Sequence, residues 1–346
     1  MSDFGQRVAA WQAAFGRHDL PWQRTQDPYA VWVSEIMLQQ TQVSSVLNYY
    51  PRFMARYPDV ATLAAAPLDA VLGLWSGLGY YSRARHLKRA AELILERHGG
   101  QVPASAEALI ALPGIGRSTA AAIRVFAFDL RDAILDGNVK RLLARYFALE
   151  GWPGEPKVER RLWSLAWETL PTTSVAPYTQ GLMDLGATLC TRSRPRCDAC
   201  PVAADCRALA LRAVAAYPAA RPRRAVPHKR TVAIVAVDAD GRVLLERRPP
   251  SGIWGGLWSL PEVESVDDAA AACAERFGLA IEVDGPGSPI QHAFTHYKLE
   301  ILPLHVRVVG STRLLMEAAA VWVDRTALDE APLPAPIRTL LAKQGD

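Results

Sequence analysis

The sequence has no apolar run long enough to cross a bilayer, and its first eighteen residues lack the basic start and unbroken apolar stretch of a secretion signal. Cysteine is scarce as well, at five in 346 residues, and four of the five fall within one stretch of seventeen residues. These absences argue against a membrane-spanning protein and against a disulfide-dense secreted domain. We therefore expect a cytoplasmic globular protein with two or three domains.

The charge is divided unevenly along the chain. Residues 1–230 contain 29 Lys or Arg and 19 Asp or Glu, a balance of +10, whereas residues 231–346 contain 10 and 16, a balance of −6. A basic first part suits a module that binds phosphates. An ordinary solvated surface explains the same charges equally well, so both interpretations stay open.

The pattern of apolar residues divides the chain into two parts. From Val31 to about Leu211 the sequence pattern is typical of helices of ordinary length, separated by Pro and Gly. This pattern predicts an all-α domain. Residues 213–230 are rich in proline and arginine, contain no acid, and predict a stiff linker. Residues 231–346 predict a smaller α+β domain with one helix over Val266–Phe277. The expected strands are Thr231–Val237, Val243–Glu246, Leu299–Val309 and Ala320–Val323.

The cysteine quartet is the most specific pattern in the chain. It consists of Cys190, Cys197, Cys200 and Cys206. Four thiolates in a compact loop suit either a tetrahedral Zn²⁺ or an iron–sulfur cubane. Zinc sites usually contain two closely spaced cysteine pairs, whereas this loop contains one, Cys197 and Cys200. The spacing resembles the cluster loop of the endonuclease III superfamily of base-excision glycosylases. That resemblance implies a structural [4Fe–4S] cluster, with Arg192, Arg194 and Arg196 facing DNA phosphates.

A glycine-containing turn lies between two helical segments at Leu112–Thr119. Gly114 and Gly116 would expose backbone N–H groups that can bind a phosphate oxygen, but an ordinary turn between helices explains them as well. The string is similar to the helix-hairpin-helix motif of the same superfamily. The similarity implies that Gly114, Gly116 and Ser118 contact DNA.

Asp136 and Asn138 stand at an expected helix start, in Ile134–Arg141. Capping of that helix explains one of the two residues but not the whole string. Removal of a base generates positive charge on the deoxyribose, and a fixed carboxylate stabilises such a charge. The superfamily resemblance implies this role for Asp136, and DNA binding for Asn138.

Glu35 lies in an apolar string, Val31–Gln42, and from the residues alone it is more easily a surface acid than a pocket acid. A departing base must be protonated, however, and a carboxylic acid in a semi-apolar pocket has the raised pKa for this. The string resembles the signature of the MutY-type adenine DNA glycosylases, as do Gly77–Arg85 and Leu20–Trp22. This resemblance implies that Glu35 protonates the flipped adenine, at N7.

The same resemblance assigns further residues. Trp22 and Gln180 are expected to line the adenine pocket. The residues expected to enter or approach the duplex are Gln40, Thr41, Leu78 and Tyr80. Bifunctional relatives carry a lysine at the position of Ser118, so Ser118 implies base removal without strand cleavage. Lys140 is the other amine that could attack the sugar, and it is interpreted as a phosphate contact.

The C-terminal part resembles a Nudix-like domain in two neighbouring features, the strand that ends at Glu246 and the Gly/Trp-rich loop Arg247–Trp258 that follows it. Its expected helix lacks the glutamate cluster that holds Mg²⁺ in Nudix hydrolases, so no pyrophosphatase activity is predicted. Phe294, Thr295 and His296 are similar to the Phe-Ser-His loop that recognises 8-oxoguanine in this family, with Thr for Ser. A strand edge on which Phe294 packs is the alternative.

Together these resemblances imply a six-helix module over about residues 21–133 and a cluster module over 1–20 and 134–212. The remaining parts are the linker at 213–230 and the Nudix-like lesion-recognition domain at 231–346. The expected function is a monomeric, monofunctional glycosylase of base excision repair that acts on nucleoid DNA. Its substrate would be adenine opposite 8-oxoguanine or G in double-stranded DNA. A pyrimidine-specific relative is disfavoured by the Nudix-like domain, and a non-catalytic damage-binding protein by the two carboxylates.

Overall fold

The structure is a computed structural model that describes residues 2–222, 227–249, 252–294, 297–311, 320–328 and 331–342. Contacts divide the chain into two compact units, one of Met1–Ala66 with Arg85–Arg223 and one of Pro67–Ala84 with Arg224–Asp346. None of the described helices has both the length and the apolar character needed to cross a membrane.

The first two thirds of the chain is helical, as the sequence predicts. The helices are α1 (Ser2–Phe15), α2 (Pro28–Leu38), α3 (Val43–Arg56), α4 (Val60–Ala65), α5 (Leu68–Trp75), α6 (Ser82–His98), α7 (Ala106–Ile110), α8 (Arg117–Phe128), α9 (Gly137–Tyr146), α10 (Pro156–Thr169), α11 (Val175–Thr188) and α12 (Arg207–Ala210). Local chemistry sets several of their starts. Asp27 accepts hydrogen bonds from the N–H groups of Tyr29 and Ala30, and Pro28 occupies the first position of α2, where its missing N–H costs nothing.

The first helix of the chain packs against a helix far along the sequence. Phe4 and Val8 of α1 share one apolar core with Val139, Leu142 and residues of α10 and α11. Gly181 makes the close approach possible, because a Cβ there would lie 2.8 Å from Val8 Cγ1 and 2.9 Å from the Val8 carbonyl oxygen. The chain start therefore belongs to the same core as the helices that precede the cysteine loop.

The second unit is built on a mixed sheet, in which the described residues form eight strands. Its strands are β1 (His228–Val237), β2 (Val243–Arg247), β3 (Trp258–Ser259), β4 (Glu262–Val263), β5 (Leu279–Pro286), β6 (Ile290–Ala293), β7 (Lys298–Ser311) and β8 (Ala320–Val323). The order is β3-β2-β1-β7-β5, with β1 and β7 parallel from His228 opposite Lys298 to Val237 opposite Arg307.

Two helices cover opposite faces of this sheet. Helix α13 (Ala269–Phe277) places Ala269 and Cys273 in one apolar cluster, and α14 (Ala335–Ala342) places Ile337 and Leu340 in another. Burial on both faces explains why β1 reads as a continuous apolar run. It also assigns the fifth cysteine to the core, since Cys273 is fully buried.

Some element limits differ from those predicted. Strand β1 begins at His228, inside the segment predicted as a linker, because His228–Arg230 pair with β7. Pro67–Ala84 belongs to the second unit, although the predicted helical module of residues 21–133 includes it. The sequence interpretation also omitted β3, β4, β5 and β6, which are short or carry exposed polar residues. The predicted division into domains stays a prediction.

Candidate functional site

A cavity of about 810 Å³ opens in the first unit, between the segment before α2, helix α2 itself, the start of α9 and helix α11. Six of the residues singled out from the sequence line it. They are Trp22, Glu35, Thr41, Asp136, Asn138 and Gln180. Residues separated by more than a hundred positions in the chain therefore share one concave site, the setting typical of a ligand-binding or catalytic pocket.

Glu35 projects from α2, whose other side chains are almost all buried. Burial raises the pKa of Glu35 to about 8, and the nearby charge of Asp136 adds to the shift. The surface position that the residues alone favoured is therefore wrong. At neutral pH this carboxyl group holds a proton that it can donate.

Asp136 has two structural roles at once. It caps α9, because its Oδ1 accepts a hydrogen bond of 2.8 Å from the Val139 N–H, and it lines the same cavity as Glu35. Burial raises the pKa of Asp136, while hydrogen bonds from Val139 and Asn138 act in the opposite direction. Those donors favour the ionised form, so the two carboxyl groups of the cavity have different environments.

A chain of side-chain hydrogen bonds leads away from Asp136. Asn138 Nδ2 donates to Asp136 Oδ2 at 3.4 Å, and Arg141 Nη2 donates to Asn138 Oδ1 at 2.8 Å. Arg141 also donates to the carbonyl oxygens of Gly186 at 2.7 Å and Cys190 at 2.8 Å. The first cysteine of the quartet is thus connected to the cavity through Arg141, which the sequence interpretation missed.

Gln180 is held by the buried carboxylate of Asp184, which pairs with the partly exposed Arg17 and which the sequence interpretation also missed. Gln180 Nε2 donates to Asp184 Oδ1 at 2.9 Å, and Arg17 Nη2 lies 2.6 Å from the same oxygen. Asp184 has no exposed surface. An acid in the otherwise apolar run Gly181–Gly186, four residues after Gln180, is the signal that could have found it.

The turn between α7 and α8 is tied to both carboxylate-bearing segments. Gly114 has a left-handed φ of 81°, and its carbonyl oxygen accepts from Gln39 Nε2 at 3.1 Å. Gly116 caps α8, and Ser118 Oγ accepts a hydrogen bond of 2.9 Å from the N–H of Leu135. The hydroxyl at the discriminating position therefore fixes the backbone next to Asp136.

Two of the residues expected to enter the duplex have strained backbones. Gln40 (φ 55°) and Tyr80 (φ 49°) are left-handed although neither is glycine. Such conformations cost about 1–3 kcal/mol and occur where a functional site requires them. Tyr80 is 49% exposed, whereas its neighbour Leu78 is 6% exposed. Leu78 and Tyr80 belong to the second unit and are not among the residues of the cavity.

All four cysteines of the quartet line one small apolar cavity of about 20 Å³. Burial raises the pKa of Cys200 to about 11, and the charges of the other three thiols add to this shift, which reflects their proximity. Arg145 Nη1 donates to Cys190 Sγ at 3.3 Å. Across the described ranges no three ligating side chains converge as a metal site, so the thiols surround a common space without meeting at one point.

Phe294 belongs to an aromatic cluster of the second unit. Its ring centroid lies 4.6 Å from His292, 4.7 Å from Tyr297 and 5.4 Å from Trp254. Lys229 Nζ lies 5.1 Å from the Tyr297 ring. The other two residues of the expected lesion-recognition loop, Thr295 and His296, lie outside the described residues.

Comparisons with known proteins match both units. The HhH-GPD superfamily base excision DNA repair protein model matches residues 33–167, and the NUDIX domain model matches residues 232–343. The chain is 34% identical over 341 residues to the adenine DNA glycosylase of Buchnera aphidicola subsp. Acyrthosiphon pisum (strain APS), covering 98% of this chain and 96% of that protein. It is also 34% identical to the Homo sapiens adenine DNA glycosylase, covering 86% of this chain and 65% of that protein.

Solved structures show the same helical fold. A thermostable thymine-DNA glycosylase matches with a TM-score of 0.56 and 28% identity, covering 60% of this chain and 96% of that one. A non-covalent endonuclease III–DNA complex matches with a TM-score of 0.51 and 20% identity over 59% of this chain and 94% of that one, a likeness of fold alone. The predicted fold class, an endonuclease III-like helical part followed by a Nudix-like domain, is confirmed.

The buried carboxyl group gives a test that does not depend on any substrate. Because the folded-state pKa of Glu35, about 8, lies above its usual value of 4.5, the folded protein binds the proton more tightly than the unfolded chain. The Glu35 contribution to the free energy of unfolding therefore falls as pH rises from about 4.5 to about 8, and it levels off above that. Glu35→Gln removes that loss, so its thermal midpoint relative to wild type is expected to rise with pH between about 5 and 8 and to stay level above.

Glu96→Gln is the matched control, since Glu96 is exposed on α6 and its ion pair is with its exposed neighbour Arg97, at 3.9 Å. Its thermal midpoint is expected to follow wild type across the same range. A difference between Glu35→Gln and wild type that stays constant with pH would contradict the buried, protonated state of Glu35.

Proposed function

The chain belongs to the adenine DNA glycosylase family, and from that premise we propose that it removes adenine paired with 8-oxoguanine or guanine from double-stranded DNA. As a member of this family it is a DNA N-glycosylase of base excision repair. The observation that carries the finer proposal is the cavity shared by Glu35 and Asp136, in which the pKa of Glu35 is raised to about 8.

Glu35 is the proposed general acid. An unprotonated adenine leaves as an anion and is a poor leaving group, so a proton must reach its ring nitrogen, N7, as the glycosidic bond breaks. A carboxyl group that is still protonated at pH 7 supplies it. After transfer, the Glu35 carboxylate can accept a proton from the water that attacks the sugar, because the same group works in both directions.

Asp136 is the proposed stabiliser of the positive sugar. Loss of the base leaves an oxocarbenium-like deoxyribose, and an anion fixed beside it lowers the barrier without moving. The N–H of Val139 and the amide of Asn138 hold the Asp136 carboxylate, so its orientation is set before the substrate arrives. Burial raises the pKa of both carboxyl groups, but only Asp136 receives hydrogen bonds that oppose the shift, and this difference gives the pair its separate roles.

The proposed reaction stops after base removal. At the position where bifunctional relatives carry an attacking lysine, Ser118 accepts a hydrogen bond from the Leu135 backbone. The remaining candidate amine, Lys140 Nζ, lies 2.6 Å from Glu159 Oε1 and is held in an ion pair. Neither group offers a free amine for a Schiff base.

The other assigned residues divide into three groups by proposed role. Trp22 and Gln180 line the adenine pocket, where the Gln180 amide is oriented by Asp184. The duplex-entering residues are Gln40, Thr41, Leu78 and Tyr80, with exposed Tyr80 as the main wedge. The phosphate-binding residues are Gly114, Gly116, Ser118 and Asn138. Wedging offsets the unstacking cost of base flipping, about a few kcal/mol.

The Nudix-like domain is the proposed reader of the partner base. Phe294 stands in a cluster of aromatic rings with Lys229 nearby, a surface suited to a nucleobase and its phosphates. Thr295 and His296 complete the proposed loop for 8-oxoguanine.

A [4Fe–4S] cluster is proposed on Cys190, Cys197, Cys200 and Cys206. The fit rests on four neighbouring thiols around one apolar cavity and on the N–H···S hydrogen bond from Arg145, a donor of the kind that stabilises cluster sulfurs. Bound there, the cluster would act as a structural crosslink. Arg141 donates to the carbonyl oxygen of Cys190 and Arg145 to that of Thr191, so both arginines hold the backbone of the cysteine loop. This structural role does not depend on electron transfer by the cluster.

The deciding assay is adenine release in single turnover from duplexes with A opposite 8-oxoguanine, A opposite G, and T opposite G. We expect release from the first two and none from the third. Base release from T opposite G alone would favour the thymine-specific alternative, to which the structural likeness at 28% identity also points. No release from A opposite 8-oxoguanine would overturn the proposal.

Glu35→Gln is expected to lower the release rate by at least about a hundredfold, the usual contribution of a general acid, while DNA affinity is kept. In wild type the protonated acid is the active form. Its rate should therefore be flat below pH 8 and fall above it, given the Glu35 pKa of about 8. A pH profile that rises through this range would contradict the acid role.

Borohydride trapping tests the absence of strand cleavage. Wild type incubated with its substrate and borohydride is expected to give no covalent DNA adduct, because Ser118 has no amine. Ser118→Lys is the positive control, since it restores the amine at the discriminating position. An adduct with wild type that disappears in Lys140→Gln would show that Lys140 attacks the sugar.

Iron and acid-labile sulfide analysis tests the cluster. About four of each per chain are expected in wild type, and Cys197→Ser is expected to lose them together with thermal stability. Cys273→Ala, which removes the cysteine of the sheet core, should keep the full content. Zinc in place of iron would contradict the cluster assignment.

A further inference from the structure

The loop that carries Tyr80 is built mainly from backbone conformations that few residues adopt. After α5 ends at Trp75, Gly77 has a φ of 94°, Gly79 of 76° and Tyr80 of 49°. Left-handed backbone persists at a non-glycine residue only where surrounding contacts hold it. The shape of this loop must therefore be imposed by its neighbours.

Part of the support comes from the loop's own flanks. Trp75 Nε1 donates to the Gly79 carbonyl oxygen at 3.1 Å, and the Tyr81 hydroxyl oxygen accepts from the Gly77 N–H at 3.2 Å. The buried guanidinium of Arg83 donates to the same Gly79 carbonyl at 3.0 Å and lies 5.5 Å from the Tyr80 ring centroid. These contacts close the loop on itself.

The rest of the support comes from the C-terminal sequence. Arg338 Nη2 donates to Ser76 Oγ at 3.0 Å, across 262 positions of the chain. The Tyr81 hydroxyl donates to the Leu333 carbonyl oxygen at 3.4 Å, and Arg247 forms an ion pair with Asp69. Pro67–Ala84 belongs to the same compact unit as the Nudix-like domain, and these contacts lie within that unit.

Arg338 is itself fixed before it reaches the loop. Its guanidinium donates to the carbonyl oxygens of Leu328 at 3.2 Å and Ala331 at 2.7 Å, in the segment that leads into α14. The donors of a planar guanidinium have fixed directions relative to one another, so the hydrogen bonds on one side of the group restrain the position of the acceptor on the other side. Ser76, the residue after α5, is thus connected through Arg338 to the backbone at Leu328 and Ala331.

We propose that Arg338 is a positioning residue for the wedge: through Ser76 it makes the Nudix-like domain hold the loop that presents Tyr80. The inference rests on the proposed function, because it assumes that Tyr80 enters the duplex. It gives the C-terminal domain a second role besides reading the partner base. The domain that recognises the lesion also holds the side chain that opens the base stack.

Arg338→Met and Ser76→Ala test this coupling from its two ends. Both are expected to increase amide hydrogen exchange in the peptide that covers residues 76–81. Both should also slow single-turnover adenine release about tenfold, the effect of losing one charge-assisted hydrogen bond. The pH midpoint of the reaction should not change, because Glu35 is untouched.

The double variant shows whether the two residues act together. If Arg338 acts through Ser76, the double variant should be no more than about twofold slower than the slower single variant, since the same hydrogen bond is lost only once. Multiplied effects would overturn the proposal. Thr339→Ala is the matched control, because Thr339 is exposed on the same helix and donates to the carbonyl oxygen of Ala335, four residues earlier in that helix.

The outcomes separate this inference from the proposed function. Wild type without adenine release would refute the function, while the exchange measurement would still test the contact. An active wild type with Arg338→Met equal to Thr339→Ala in both exchange and rate would refute the positioning role. Should Arg338→Met unfold the domain, Ser76→Ala decides alone, since it leaves the hydrogen bonds from Arg338 to Leu328 and Ala331 intact.

Discussion

The burial of Glu35 beside Asp136 is the constraint on which the rest of the first unit depends. Two carboxyl groups in one cavity repel each other when both are charged, and burial penalises each charge. The protein resolves the conflict unequally. Asp136 receives the hydrogen bonds that favour an anion, and Glu35 is left among apolar side chains, where it keeps its proton. The acid and the anion of the proposed reaction follow from that difference.

Holding such a pair requires rigid surroundings, and the polar contacts of the first unit supply them. Asp136 is connected through Asn138 and Arg141 to the backbone at Cys190, so the cysteine loop and the cavity share one framework. Gln180 is fixed in the same way by the buried carboxylate of Asp184, which pairs with Arg17. Buried charges of this kind add little net stability, but breaking one leaves an unpaired charge, which makes the arrangement specific.

Sequence reasoning identified the local motifs and missed the pairs that lie far apart in the chain. The cysteine spacing, the glycine turn and Asp136 are readable because their chemistry lies within a few residues. Glu35 was ambiguous, because apolar periodicity does not reveal which side of a buried helix faces a cavity. Asp184 with Arg17 and Arg338 with Ser76 join residues 167 and 262 positions apart, and only the folded chain brings them together. The extra strands β5 and β6 were missed because their exposed polar residues mask the alternation.

Adenine is a normal component of DNA, so an acid with a pKa near 8 would protonate any adenine that reached it. The cavity alone therefore cannot distinguish a mispaired adenine from a correctly paired one, and selectivity has to reside in access to the cavity. Access requires that the base leave the stack, which costs a few kcal/mol and is helped by a wedge such as Tyr80. In the proposed function the Nudix-like domain reads the partner base, and a wedge held by that domain would couple the cost of opening to the identity of the lesion. The hydrogen bond from Arg338 to Ser76 is the contact proposed to make that connection.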